Sequence, residues 1–215
     1  MRWLIRAYHL ALAFLGSVIY GHPSKKIKVI GITGTKGKTT ALEVVNSIFE
    51  AAGEKTALLS SVRVKVGDKS KKNLTENSMP GRMYIQRFLR KAVVAGCGYA
   101  FVEATSQGAV FYRHAFIDWA ASAITNLHPE HIESHGSYEK YRDAKLSFLS
   151  YAGHANAPIF INAKDKEKDF FEIELKGNKI IFFSSDDLPE LSERAKEFLP
   201  GEFSRQNAAL AVAIA

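Results

Sequence analysis

One stretch limits the fold of this chain more than any other: KVIGITGTKGKTT, Lys28 to Thr40, where a β-branched run breaks into glycines and restarts as Gly-Lys-Thr-Thr. Val29, Ile30, Ile32 and Thr33 favour an extended, buried strand. From Thr39 to Ala52 apolar residues return at Leu42, Val45, Ile48 and Phe49, a helical period closed by Gly53. Strand, glycine loop and helix in that order open a nucleotide-binding α/β domain.

The loop carries the parts that triphosphate binding needs. Gly34 and Gly37 let backbone N–H groups of the Gly34–Thr40 segment converge on phosphate oxygens, and the following helix adds its positive end. Lys38 can reach the outer phosphates, and the Thr39 hydroxyl can ligate Mg²⁺. The strict phosphate-loop pattern places glycine at position 32, where this chain has Ile32; Gly31 comes one residue too early, so the loop is a variant. The contacts expected along it are Gly34, Thr35, Lys36, Gly37, Lys38, Thr39 and Thr40. Kinase, GTPase, ATP-driven ligase and motor chemistry all fit such a loop. Guanine specificity has no support, because Asn-Lys-x-Asp does not occur.

Further along, Thr56–Ser60 and Arg63–Val66 suggest strands, Asp68–Pro80 reads as a polar loop and Tyr84–Ala95 as a helix. YAFVEA (Tyr99–Ala104) and AASAIT (Ala120–Thr125) are continuous apolar runs that turn polar at their C-terminal ends. That is the habit of strands in a mostly parallel sheet with ligands beyond that edge. Tyr138–Tyr151 reads as a helix, Pro158–Asn162 as a strand, and Phe170–Leu175 with Lys179–Phe183 as a hairpin turned by Gly177-Asn178. Leu188–Phe198 has charges at helical spacing. The expected class is α/β, a mostly parallel sheet flanked by helices.

Composition narrows the setting. With 215 residues, 47% hydrophobic and 24% charged, the chain can bury a full core. Its one cysteine, Cys97, excludes an internal disulfide and suits the cytoplasm. A net charge of +7 favours anionic partners, but no nucleic-acid-reading motif accompanies it, so no nucleic acid is expected. Met1–Tyr20 is apolar with Arg2, Arg6 and His9 interspersed. A basic start before an apolar run has the outline of a secretory signal, yet no small-residue cleavage pattern is clear and its least interrupted part is too short to span a bilayer. Residues 1–25 are therefore expected to form a helix and linker that packs on the 26–215 domain or rests on the inner membrane surface. Asn207–Ala215, NAALAVAIA, is an apolar helix without a stop signal, so more chain is expected to follow.

A second polar cluster lies beyond the loop. Glu103 stops the YAFVEA strand, well placed for Mg²⁺. Thr125–Gly136, TNLHPEHIESHG, packs Asn126, His128, Glu130, His131, Glu133 and His135 together. Zinc is disfavoured by the single cysteine and the lack of H-E-x-x-H. Lys145, on one helix face with Tyr141 and Arg142, is by composition alone a solvated lysine, and Asn207 alone a helix cap.

Taken together, GITGTKGKTT, Glu103 with Thr105-Ser106, TNLHPEHIESHGSYEKY, Lys145 and GEFSRQNAALA resemble the Mur ligase family, nearest its MurE branch, in motif order and spacing. The resemblance covers Lys28 to the end, the family's central ATPase domain. It implies an ATP-dependent ligase joining a carboxylate to an amine through an acyl phosphate, in peptidoglycan precursor synthesis. The implied substrates are ATP, a UDP-muropeptide acid and an amino acid. By resemblance Lys38, Glu103, His131 and Lys145 are catalytic. Thr39, Glu103, His131 and Lys145 surround Mg²⁺, with Lys145 carbamylated, and Asn207 lies near the adenine. Arg113 matches a family arginine loosely, as Asn162 and Asp165 match an Asn-x-Asp-Asp stretch. Lys36 stands in place of asparagine, Glu130 and Glu133 in place of aspartates, and Ser204 in place of asparagine. The family's C-terminal domain, which brings the amino acid, is expected beyond residue 215. A non-catalytic ATP-binding module and a phosphate-loop kinase are the alternatives.

Overall fold

Strand β1 (Lys28–Thr33) runs through the centre of the molecule with only its first residue exposed. The computed structural model describes residues 2–75, 77–130, 132–189, 197, 199 and 201–215. Around β1 lie β2 (Thr56–Leu59), β3 (Arg63–Val66), β4 (Lys69–Lys72), β5 (Tyr99–Glu103), β6 (Trp119–Ile124), β7 (Ile159–Asn162) and β8 (Ile180–Phe183). Among the described residues these eight form one sheet in the order β4-β3-β2-β5-β1-β6-β7-β8. The pairs from β2 to β8 are parallel, and β3 and β4 continue past β2 antiparallel.

Strand alternation sorts the core into two layers. Val29, Ala100 and Val102 face one side, against α3 (Arg82–Val94) and α6 (Tyr138–Ala152) through Ile85, Phe88, Leu89, Tyr141, Phe148 and Leu149. Ile30, Ile32 and Phe101 face the other, against α2 (Lys38–Ala51) and α8 (Gly201–Ile214) through Leu42, Val45, Phe49 and Leu210. Gly31 belongs to this strand packing and not to the phosphate loop. A Cβ there would lie 2.6 Å from both the Phe148 and Trp119 rings. Among the described residues the remaining α-helices are α1 (Arg2–Ile19), packed beside α3, α4 (Ser106–Val110), α5 (Ile132–His135) and α7 (Lys168–Glu174).

The expected hairpin at 170–183 is not formed. Lys168–Glu174 is helical, Phe171 and the following Leu175 are buried one turn apart, and β8 pairs parallel with β7. FFEIEL alternates like a strand, but its inward residues repeat at four, and Gly177, at φ 95°, ends the helix. Within the expected polar loop 68–80, Lys69–Lys72 is a strand with every side chain exposed. Backbone pairing to β3 holds it, and such pairing leaves no apolar period to read. The helix expected over Leu188–Phe198 falls mostly outside the described residues.

Candidate active site

β1 ends at Thr33, and the chain must turn at once to start α2 at Lys38. Gly34 makes this turn at φ 145°, where any Cβ would collide with the Thr125 hydroxyl. The segment after β6 then clamps the loop. Thr35 N–H donates to the Asn126 carbonyl at 2.9 Å, Lys36 N–H to Asn126 Oδ1 at 3.0 Å, and Thr125 Oγ1 donates to the Lys36 carbonyl at 2.7 Å. Thr35 Oγ1 accepts from the His128 amide at 2.9 Å and meets the Tyr141 hydroxyl at 3.0 Å. A glycine-rich segment is flexible alone, so these bonds are what preorganise it.

Two lysines converge on the loop. Lys38 Nζ curls back to the carbonyls of Gly34 (3.0 Å) and Thr35 (2.9 Å). Lys145 Nζ, brought by α6, donates to the same Gly34 carbonyl at 2.8 Å and lies 4.5 Å from the Tyr141 ring centre. Lys145 is only 2% exposed. Burial holds its amine well below the usual lysine range, and the neighbouring Lys38 charge pushes the same way. Burial also lowers Lys38, partly countered by Glu103 and Glu130.

Glu103 is equally buried at the end of β5, beside Ile32 of β1. Its Oε2 accepts from Thr39 Oγ1 at 3.0 Å and from the Ser61 amide at 2.9 Å, while Thr39 Oγ1 lies 2.9 Å from the Ser61 hydroxyl. A carboxylate and hydroxyls form a hard, all-oxygen set of the kind Mg²⁺ takes. Among the described residues no three His, Cys, Asp or Glu side chains gather as a metal cage, and His131 lies outside those residues. The oxygen set fits an ion that shares its shell with phosphates and water.

The remaining expected residues are distributed unevenly. Asn207 is no cap: it is buried inside α8, and a side chain at Gly37 would strike its amide, 2.5 Å from Oδ1. Thr40 is exposed in the first turn of α2. The Lys36 side chain points out to Glu130, 3.2 Å away. Arg113 donates to the Met79 carbonyl, and burial lowers its guanidinium. Asp165 Oδ2 accepts from the Leu127 amide at 2.7 Å and so steadies the clamp, while Asn162 Nδ2 reaches the Thr125 carbonyl at 3.2 Å. Ser61 was not anticipated; a serine following a short strand has no distinguishing pattern, and only the register of β2 beside β5 brings it to Glu103.

The family description "Mur ligase middle domain" matches residues 32–215. The chain belongs to the Mur ligase family. This Mur ligase domain is 35% identical over 173 residues to the UDP-N-acetylmuramyl-tripeptide synthetase of Roseiflexus sp. (strain RS-1), covering 75% of this chain and 34% of that one. It is 31% identical over 198 residues to the UDP-N-acetylmuramoyl-L-alanyl-D-glutamate–2,6-diaminopimelate ligase of Bacillus licheniformis, covering 90% and 40%. It therefore spans well under half the length of these relatives. A solved UDP-N-acetylmuramoyl-L-alanyl-D-glutamate–2,6-diaminopimelate ligase superposes with a TM-score of 0.71 at 21% identity, over 87% of this chain and 42% of that one. That likeness establishes the Mur ligase fold. The expected α/β class with a mostly parallel sheet is the one observed.

Proposed function

We propose that this domain is the ATP-binding core of an ATP-dependent carboxylate–amine ligase that acts in the cytoplasm on a peptidoglycan precursor. The observation that carries the reading is the convergence of Lys38 and Lys145 on one loop carbonyl, with Glu103 one hydrogen bond from Thr39. The names of the relatives suggest the substrates: UDP-N-acetylmuramoyl-L-alanyl-D-glutamate as acid and 2,6-diaminopimelate, or another amino acid, as amine.

In this reading the loop amides from Gly37 to Thr40 and the α2 N-terminus hold the phosphates, while the Thr35 and Lys36 amides stay bonded to Asn126. Lys38 leaves the Gly34 and Thr35 carbonyls for the outer phosphates, where its charge stabilises the transferring group. A substrate carboxylate oxygen attacks the γ-phosphorus, the bond to ADP breaks, and an acyl phosphate forms. The amine then attacks the acyl carbon, releasing phosphate and a proton and leaving the amide. Asn207, packed against Gly37, would contact the adenine.

Thr39, Glu103, His131 and a carbamylated Lys145 would hold Mg²⁺, which when bound neutralises phosphate and carboxylate charge. Lys145 suits carbamylation because its buried amine has a carbonyl partner and no carboxylate partner among the described residues. An ammonium in that position is costly. Addition of CO₂ to the free amine, with loss of a proton, replaces it with an anion.

The test uses the full-length protein with Mg²⁺, ATP, the UDP-muropeptide and a panel of amino acids. Phosphate release should require both acid and amine and yield an amide visible by mass spectrometry. Phosphoryl transfer to a hydroxyl acceptor, or ATP binding without turnover, would replace the ligase reading by a kinase or a non-catalytic module.

A further inference from the structure

The helical layer that carries α1 and α3 has an electrostatic and apolar pattern that nucleotide chemistry does not explain. α1 turns one stripe inward, burying Ala13, Gly16 and Ser17, with Gly16 close against Met83 and Gln86 of α3. Its other stripe is apolar and exposed: Leu4 63%, Tyr8 60%, Leu15 48% and Ile19 63%. A helix apolar on both faces in this way has a second surface to cover.

The second observation is independent of α1. Met83 and Gln86 form the α3 flank toward α1. The adjoining strip of α3, with Tyr84, Arg87, Lys91 and Val94, closes a groove of about 840 Å³ against β3 and β4. Val64, Val66 and Phe88 give it an apolar floor, and Lys55, Lys69, Lys71, Arg87, Arg90 and Lys91 ring it with positive charge, with Asp68 the one acid lining it among the described residues. Among the described residues none of these six cations forms an ion pair. Neither α1 nor α3 contains an acidic residue, and the first acidic residue of the whole chain is Glu43. The groove includes Lys55, Gly67 and Asp68, at the edge where β2 begins, opposite the edge where β1 delivers the phosphate loop.

We infer that this layer docks on an anionic lipid bilayer. The exposed stripe of α1 lies in the interface, and the α3 and β4 cations meet phosphate headgroups. An apolar stripe flanked by unpaired cations is the chemistry of in-plane membrane helices. No described helix is long and apolar enough to cross a membrane, so the contact is peripheral. Because the groove opens at the far edge of the sheet, docking there leaves the nucleotide edge free.

Flotation of the full-length protein with phosphatidylglycerol-containing vesicles, against pure phosphatidylcholine vesicles, tests this. The protein should rise with the anionic vesicles only, and binding should weaken steeply with added salt. R87Q/R90Q/K91Q should lower partitioning at least about tenfold, since three cations leave the anionic surface. Leu4→Ser/Tyr8→Ser, at exposed positions, should lower it comparably with unchanged circular dichroism. Equal binding to neutral vesicles, or indifference to the α3 substitutions, would overturn the proposal. So would light scattering that shows a dimer dispersed by the α1 changes, because the stripe would then belong to a second copy.

Discussion

At the edge where β1 and β5 end, charged groups are buried and tied to fixed partners: Lys145 and Lys38 on the loop carbonyls, Glu103 between Thr39 and Ser61. At the edge where β2 begins, Lys55, Lys69, Lys71, Arg87 and Lys91 surround an apolar floor without ion-pair partners among the described residues. Burying an ion is tolerated only where its surroundings are rigid and polar. The first edge therefore suits a ligand with one geometry. The second leaves its cations hydrated and movable, which suits an extended partner that is recognised by charge rather than shape. Perturbations should be severe and local at the first edge, graded and additive at the second.

The strongest test of that contrast is Gly34→Ala. With φ at 145° and no room beside Thr125, the substitution should remove about 2–4 kcal/mol of stability and abolish ATP binding in calorimetry. Retained affinity would mean that the loop is not held in one geometry.

Next in size is Lys145. Lys145→Met replaces a buried amine by an apolar chain of similar length, so thermal stability should hold or rise. Ligase turnover should meanwhile fall by about 10²–10³-fold, the scale for losing one preorganised charge. For the wild-type protein at limiting bicarbonate, activity should rise with pH, because the proposed carbamylation uses the free amine and protonation removes it. The lowered amine pKa extends the active range downward from that of an ordinary lysine. A Lys145→Met enzyme with full turnover would remove the carbamate from the mechanism.

Against α6, beside the start of β6, sits a buried polar group with no site to serve. His114 packs edge-on to Phe148 and Tyr151, its Nδ1 is buried without a hydrogen bond, and burial lowers its pKa to about 4. An unfolded histidine near 6.5 binds its proton first, so stability present above about pH 6.5 should drain away as the pH falls toward 4. The loss is roughly 3 kcal/mol. His114→Phe should flatten that stretch of a denaturation-versus-pH curve, whereas a substitution on the groove rim should leave its shape unchanged.

What could be read in the sequence follows the same division. β1, α2 and β5 were legible because burial writes a period into them, and the phosphate loop because glycine and lysine have few other reasons to alternate there. The clamp was half visible: Asn126 stood in a conspicuous polar run, but its pairing with Lys36 depends on β6 lying next to β1. Lys145 and Asn207 were unremarkable by composition and gained meaning only from the family resemblance. β4 and α7 escape a reading from the sequence for opposite reasons. KSKK is held by backbone bonds that carry no side-chain signature, and FFEIEL offers strand alternation while Phe171 and Leu175, one helical turn apart, are its buried residues. The cationic groove assembles from three separate segments, so no window of sequence displays it.

Lys36 provides the smallest effect and the finest test of the comparison, because it belongs to the first edge by position and to the second by exposure. Its side chain is 64% exposed and reaches Glu130, itself 34% exposed, across 3.2 Å. An ion pair so open to water contributes about 0–1 kcal/mol. Its backbone is another matter, since the Lys36 N–H and carbonyl carry the bonds to Asn126 and Thr125. Lys36→Ala keeps those bonds, so stability should change by about 0.5 kcal/mol or less, and ATP affinity by no more than about threefold in calorimetry. Asn126→Ala removes two of them and should cost about 1–3 kcal/mol with a clear loss of affinity. If Lys36→Ala instead weakened ATP binding as much as Asn126→Ala did, its ammonium would be a phosphate ligand that swings in from Glu130. An exposed cation would then be doing at the nucleotide edge what only buried ones are expected to do.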